Sequence, residues 1–532
     1  MRALIHLFRI HSKNNSSVHP NPMRGEETKG KRKTMTVMNP LLRRATAAVG
    51  AISIAASGLL LLGSPAVAAV GPDQPGAPSS GTLTVNKYSG SPVGTGETPD
   101  PENLLDGVEF TVQQVGKLNA GNSCEPIDLA AAADWDGLNG LFNSAPAAPS
   151  APYCLVSGTD VAQPTVDGST VFNLDLGVYF VRETDPGQNN IVSKVPDFYV
   201  SIPTSEGAEG SGWNYNVVAD PKNQILDEPT KTIDPAQSEL TVGSDVTWNL
   251  NVPVPTLNNG EKFTEAIVRD ALDSRLRYVA DSTVATVGGT PLVQGTHYKV
   301  TGNAVWTFTA AGRAVLDANM GESIALSFDT TVLSVGNGAI PNDDYTSTFN
   351  GTTVPGEQVP YTYWGQLSIL KTDDSKPNAL KLAGAEFQVF NLSGETCPAE
   401  APANGTVATG TSDANGLVQW SHTTPASSPL GLWITNVDNG PAAPAPSKDY
   451  CVYETVVPAG HTATPIANPV TITPGENNVN SMTVVNAKTE GPDLPMTGAQ
   501  GTILLTVGGL VIVAAGGGLL LAARRRNNKQ DA

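Results

Sequence analysis

The chain has 532 residues and a formal charge of −19, from 31 Lys and Arg against 50 Asp and Glu. That acidic balance argues against nucleic acid, whose phosphates attract basic surfaces. Thr, Val, Gly, Pro and Asn are abundant, and short alternating runs are bounded by Gly, Pro, Asn and Asp. This pattern predicts β-sandwich modules rather than long helices.

The N-terminus carries a targeting pattern. Residues 1–34 are polar and basic and precede Met35. They suggest an over-extended start, with a long signal peptide as the alternative. Arg43 and Arg44 stand before an apolar stretch, residues 45–63, and Ala66-Val67-Ala68 offers a small-x-small cleavage site. The segment 1–68 is therefore read as a signal peptide, with an uncleaved anchor as the alternative because the apolar stretch is long. About 425 residues follow before the C-terminal signal, enough for three domains of ordinary size.

Two stretches of the chain repeat one pattern. Thr82-Leu83-Thr84-Val85-Asn86-Lys87 precedes Gly107-Val108-Glu109-Phe110-Thr111-Val112, and Gln366-Leu367-Ser368-Ile369-Leu370-Lys371 precedes Gly384-Ala385-Glu386-Phe387-Gln388-Val389. Later in each stretch comes a strand ending in Glu-Thr: Tyr179-Phe180-Val181-Arg182-Glu183-Thr184 and Tyr450-Cys451-Val452-Tyr453-Glu454-Thr455. The part between, 228–358, is different. Glu228-Pro229 and Val359-Pro360 are short, stiff linkers. Four cysteines in a secreted chain imply disulfides. Of the three connectivities, the simplest pairs Cys124 with Cys154 and Cys397 with Cys451.

Strand alternation already singles out three polar residues of the last stretch. Leu367, Ile369 and Lys371 share a face, as do Val452, Glu454 and Val456, and Met482, Val484 and Asn486. Lys371, Glu454 and Asn486 thus point inward among apolar neighbours, where polar groups need one another. A buried salt bridge with a bonded amide is the plainer reading.

The chain ends with Leu494-Pro495-Met496-Thr497-Gly498, an apolar run over residues 501–523, and Arg524-Arg525-Arg526. At about 1.5 Å per residue such a run spans a bilayer core of about 30 Å, with the arginines held inside. Pro492 and Pro495 keep the pentapeptide extended. This order resembles the cell-wall sorting signal of Gram-positive surface proteins, which sortase cleaves between Thr497 and Gly498.

The two repeated stretches resemble CnaB-type immunoglobulin-like domains, with Glu183 and Glu454 in the E-box position. The middle stretch resembles the isopeptide-forming second domain of backbone pilins. Module order and sorting signal together resemble the shaft subunits of sortase-assembled pili, including type 2 fimbriae. The implied architecture is all-β: three tandem immunoglobulin-like (CnaB/CnaA-type) sandwiches in a rod, with an N-terminal signal peptide and a C-terminal transmembrane helix. Its divisions are 1–68 signal, 69–227 first domain, 228–358 second, 359–490 third, and 491–532 sorting signal, membrane helix and basic tail. The implied place is the cell wall, as a peptidoglycan-anchored pilus exported by the Sec route.

The resemblance also implies site residues. Trp213, Val217, Pro221, Lys222 and Asn223 fit a pilin motif, although Asp220 stands where Tyr is usual. Lys222 is then the amine that receives the Thr497 acyl group of another subunit, left exposed just past a strand that Pro221 ends. Asp220 or a sortase group would take its proton. Internal Lys–Asn isopeptide bonds are expected in two modules. The third would join Lys371 to Asn486 with Glu454 as catalyst. The second would join Lys231 to Asn350 with Asp270 as catalyst, Asp343 and Asp344 being nearby alternatives. In the first module, Val217-Val218-Ala219 set against Val484-Val485-Asn486 puts Ala219 in the asparagine position. No bond is expected there, only a Lys87–Glu183 ion pair.

Implied partners are identical subunits, a pilin-specific class C sortase, a housekeeping sortase, tip and base minor pilins, peptidoglycan, and a host glycan or protein receptor. No cofactor or metal is implied. His19, His297, His422 and His461 lack ligand spacing, and Asp373-Asp374-Ser375 reads as a polar turn rather than a cation site. No enzymatic motif stands out. The competing reading is a wall-anchored adhesin or minor pilin with Lys222 unused.

Overall fold

The computed structural model describes residues 70–90, 100–142, 148–206 and 212–489, apart from 236, 238, 239, 259 and 424. The expected signal peptide, pentapeptide and membrane helix lie outside these residues. Among the described residues no helix is long and apolar enough to cross a membrane. They are mostly β-strand, and the sheets follow one another in three stretches.

In the first stretch, Ser80–Asn86 lies between Asn216–Ala219, to which it is parallel, and Ser169–Asp175, to which it is antiparallel. A second sheet runs Phe198–Ile202, Gly177–Asp185, Glu109–Leu118 and Cys124–Pro126. Leu83, Val85, Phe110, Val112, Phe172, Val181 and Val217 fill the space between them. These residues alternate with polar ones along each strand, so the two-residue period aims one face of each sheet inward. Cys124 and Cys154 are bonded, tying two short strands that both pair with Glu109–Leu118.

The middle stretch pairs Thr230–Ile233, Asp245–Pro253, Ser323–Val332 and Val284–Val287 in one sheet. The facing sheet holds Tyr298–Thr301, Val305–Phe308, Ala266–Asp270, Tyr345–Phe349 and Thr352–Pro355. Trp248, Trp306 and Phe328 are fully buried between them. A short helix, Ala310–Asp317, starts where the Thr309 hydroxyl accepts the Gly312 amide.

The third stretch is built on Tyr361–Asp373. Its first residues pair with Ala339–Pro341, and its later residues run parallel to Gly475–Lys488. The facing sheet orders Val418–Trp420, Thr406–Ser412, Glu386–Asn391, Lys448–Val456 and Val470–Ile472. Cys397 and Cys451 are bonded, so both disulfides follow the within-stretch pairing.

A close backbone approach lies where the middle and third stretches meet. Gly338 has φ +85°, and a Cβ there would lie 2.1 Å from the Gly475 amide nitrogen. Only glycine tolerates both the left-handed backbone and that contact. Gly338→Ala is expected to cost about 2 kcal/mol or more, seen as a lower melting temperature; an unchanged melting curve would show that this junction yields without cost.

Candidate functional site

Lys87, Lys231 and Lys371 are each 0% exposed. An unpaired ammonium in an apolar interior costs several kcal/mol, so the partners of each lysine define its site.

In the third stretch the expected residues come together. Leu367, Ile369 and Lys371 alternate inward along Tyr361–Asp373. Lys371 Nζ lies 3.6 Å from Glu454 Oε1, and it donates to the Val484 carbonyl at 3.2 Å. Asn486 Nδ2 donates to the same Glu454 oxygen at 2.8 Å. Burial lowers the Lys371 pKa, and the charge and hydrogen bond of Glu454 oppose that shift. Among the described residues, Asn486 Oδ1 and Glu454 Oε2 have no hydrogen-bond partner.

The first stretch corrects the expectation of a missing asparagine. Lys87 Nζ is 2.8 Å from Glu183 Oε2 and donates to Asn223 Oδ1 at 2.6 Å. Asn223 Nδ2 in turn donates to both Glu183 oxygens, at 2.8 and 3.0 Å. The complete lysine, glutamate and asparagine set is present, 0% exposed at Lys87 and Asn223. Ala219 pairs instead with Val85. Asn223 pairs with Ser89, two residues beyond Lys87, just as Asn486 pairs with Asp373, two beyond Lys371. The expectation failed because it matched the strands on apolar content. Pro221 interrupts the strand, since it lacks an N–H, and pairing resumes at Lys222. The glutamates match as well: Glu183 pairs with Phe110 and Glu454 with Phe387, each beside a shift in register. Burial pulls the Lys87 pKa down to about 8, against the opposing pull of Glu183.

The middle stretch corrects a second expectation. Lys231 and Asp270, both 0% exposed, are in direct contact through Nζ and Oδ2. Asn350 is not with them. It occupies an Asn-Gly turn, with φ +48° and Gly351 at +89°, between the paired strands Tyr345–Phe349 and Thr352–Pro355. Its Oδ1 accepts the amides of Thr264 and Glu265. Two adjacent positive φ values are what a tight hairpin needs, so Asn350 serves the turn. The asparagine at the buried pair is Asn342, 1% exposed, whose Nδ2 donates to Asp270 Oδ2 at 3.4 Å. Asn342 follows Ala339–Pro341, and its amide donates to the Pro360 carbonyl at 3.0 Å. The rings of Tyr345, Trp248 and Phe328 surround Lys231 Nζ at 5.2, 5.3 and 5.9 Å. The sequence did carry a signal: Asn350-Gly351 is a hairpin dipeptide, which disqualifies it as an inward-facing strand residue.

The chemistry available to such a set is amide formation. A neutral lysine nitrogen attacks Cγ of the asparagine, the carboxyl group relays protons, and one ammonia leaves. The Lys231–Asp270 pair is biased toward the reactive form. Burial lowers Lys231 to about 8 and raises Asp270, with each partner's charge opposing. Moving the shared proton from lysine to carboxylate makes both groups neutral without changing the proton count.

Lys222 departs from expectation in exposure. It begins the strand Lys222–Ile225, is only 7% exposed, and pairs in parallel register with Tyr88. Burial lowers its pKa, while the Asp220 charge raises it. Asp373 is held by Ser375 and the Leu380 amide, which makes that segment a polar turn. Thr497 and the rest of 494–498 lie outside the described residues.

Comparison with known proteins gives a consistent set of likenesses. Residues 486–529 match the family described as LPXTG cell wall anchor motif. The chain is 30% identical over 522 residues to a fimbrial subunit type 2 of Actinomyces naeslundii, covering 88% of this chain and 93% of the relative. It is 27% identical over 525 residues to a fimbrial subunit type 1 of Actinomyces viscosus, covering 87% and 93%. Among solved structures it resembles the full-length major pilin SpaD from Corynebacterium diphtheriae. That match has a TM-score of 0.55 and 25% identity, over 77% of this chain and 98% of that one.

Two outcomes test these sets. Measured against the mass calculated from each variant's own sequence, Asn342→Ala should show one ammonia loss fewer than the wild type, and Asn223→Ala likewise, whereas Asn350→Ala should show as many as the wild type; intact-protein mass spectrometry decides each. In newly made chain that is not yet cross-linked, bond formation at Lys231 should be flat with pH around neutrality. It should slow above about 8, where Lys231 has lost the proton that Asp270 must donate. It should slow again at acid pH, where both groups are protonated. A rate that keeps climbing above 8 would mean that Asp270 does not act as an acid.

Proposed function

The chain belongs to the sortase-assembled major pilins of Gram-positive bacteria, and we propose that it is the shaft subunit of a covalent pilus built of three self-cross-linked immunoglobulin-like modules. Homologous subunits of this family are structural rather than enzymatic, and its LPXTG anchor makes it a cell-wall-attached surface protein and a sortase substrate. We divide it as 69–227, 228–358 and 359–490.

The linking step is a transpeptidation. A sortase cysteine attacks Thr497, the Thr497–Gly498 bond breaks, and the C-terminal fragment leaves. The Thr497 acyl group is then a thioester. Lys222 Nζ of another subunit, having lost a proton, attacks that carbonyl. The thiol is released and a Thr497–Lys222 amide remains. A class C sortase repeats this step, and a housekeeping sortase transfers the last subunit to peptidoglycan. Tip and base pilins occupy the ends, and a host receptor, if the shaft has one, would be glycan or protein.

The observation that supports this reading best is the threefold recurrence of a buried lysine, carboxylate and asparagine. A monomeric anchor has little need of such sets, but every subunit of a thin polymer carries the whole pulling force. Each internal amide would join Lys87 to Asn223, Lys231 to Asn342 and Lys371 to Asn486. Glu183, Asp270 and Glu454 would be the catalytic carboxyls. By analogy with a disulfide, closing loops of roughly a hundred residues restricts the unfolded chain by on the order of 4–5 kcal/mol each. Unlike a disulfide, such an amide survives reduction.

Lys222→Ala is the decisive variant. Boiled and reduced wall extracts of the wild type should give a high-mass ladder on immunoblots, and the variant only monomer. Monomer in both would turn the reading to a wall-anchored adhesin or minor pilin. A ladder in both would keep the polymer and reject Lys222.

A further inference from the structure

The strand that carries Asn223 into the core presents Lys222 on its other face, and there the lysine meets an aromatic ring. Lys222 Nζ lies 4.5 Å from the centroid of the Tyr88 ring. Both residues are nearly closed to solvent, at 7% and 8% exposure. Their backbones are tied on either side of the pair. The Tyr88 amide donates to the Pro221 carbonyl at 3.1 Å, and the Gly90 amide to the Asn223 carbonyl at 2.8 Å. These bonds hold the Tyr88 and Lys222 backbones in one register, from which the two side chains meet.

A carboxylate is fixed on the same strand pair. Asn86 Nδ2 donates to Asp220 Oδ1 at 3.0 Å, and Asn86 Oδ1 accepts from the Ser169 hydroxyl at 2.9 Å. Burial and the Asp220 charge both raise the Tyr88 hydroxyl pKa, so the ring is a neutral phenol at neutral pH. The face of a neutral ring attracts an ammonium and packs against the methylene stem. Lysine has four side-chain torsions and is otherwise free to sample many rotamers. An amine that must meet a thioester held by a second protein gains rate from being held in one place.

We propose that Tyr88 is a positioning residue for inter-subunit linkage, its ring holding the Lys222 side chain where the acyl thioester of a second subunit can be attacked. The proposal rests on Lys222 being the acceptor. The bond changes are those of the linking step, and Tyr88 neither gains nor loses a proton in it. The hydroxyl is not required; the aromatic face is.

The test uses the full mature chain, the pilin-specific sortase and a donor peptide containing Leu-Pro-Met-Thr-Gly, with the amide product counted by mass spectrometry. Tyr88→Phe should keep kcat/KM for the pilin within about twofold. Tyr88→Leu, which fills space but has no ring, should lower it by roughly tenfold. Donor-peptide cleavage and melting temperature should stay the same. Should Tyr88→Leu melt early, Tyr88→Met gives the same comparison with a more adaptable side chain. If the ring-less variants link as fast as wild type, Tyr88 only packs and the proposal is wrong. If Phe falls as far as Leu, the hydroxyl acts and the proposal is equally wrong. The acceptor reading fails separately: it falls if Lys222→Ala still gives the product.

Discussion

A lysine amine inside a β-sandwich core is the constraint on which the rest of this molecule depends. Water would solvate the charge, and the core does not, so a carboxylate must sit beside it or the proton must leave. That demand fixes which strands meet. In the outer stretches the lysine lies just after or near the end of the first strand, the glutamate stands opposite a phenylalanine beside a register shift, and the asparagine comes from the last strand in parallel register. Parallel neighbours cannot be joined by a tight turn, so each lysine and its asparagine lie far apart in sequence. The same separation makes a covalent tie between them worth most.

The middle set solves the same problem with other parts. Its acid is Asp270 at the end of a central strand, and its asparagine follows a short strand at the junction with the third stretch. Three aromatic rings surround the amine, and the pair is the most completely desolvated of the three. Burial shifts both partners toward neutrality. Among the described residues the Oδ1 atoms of Asp270 and Asn342 have no hydrogen-bond partner; a protonated carboxyl has a donor that the ion pair lacks.

Lys222 and Asn223 bring the two proposed chemistries onto one strand. They are neighbours on one strand and face opposite ways, as a two-residue period requires. Asn223 points to the buried set that closes the first module, and Lys222 lies beneath Tyr88 on the outer side. Whatever fixes this strand for one residue fixes it for the other. Pro221 breaks the ladder just before them, but the register is the same on either side, Val85 with Ala219 and Tyr88 with Lys222.

The sequence by itself determined the β class, the sorting pentapeptide and the inward set Lys371, Glu454 and Asn486, and it made the within-stretch disulfide pairing the simplest of three. These are local or periodic signals: alternation along a strand, cysteine position, and a fixed order of short motifs. The tertiary structure decided the asparagines of the other two sets and the burial of Lys222, although the Asn350-Gly351 dipeptide already spoke against Asn350. Asn223 was hidden by a proline that interrupts an otherwise regular strand. Asn350 looked like a strand end until its turn placed it outside the core and Asn342 within it. Strand register between residues more than a hundred positions apart is set by packing across the whole sandwich, and no local pattern encodes it.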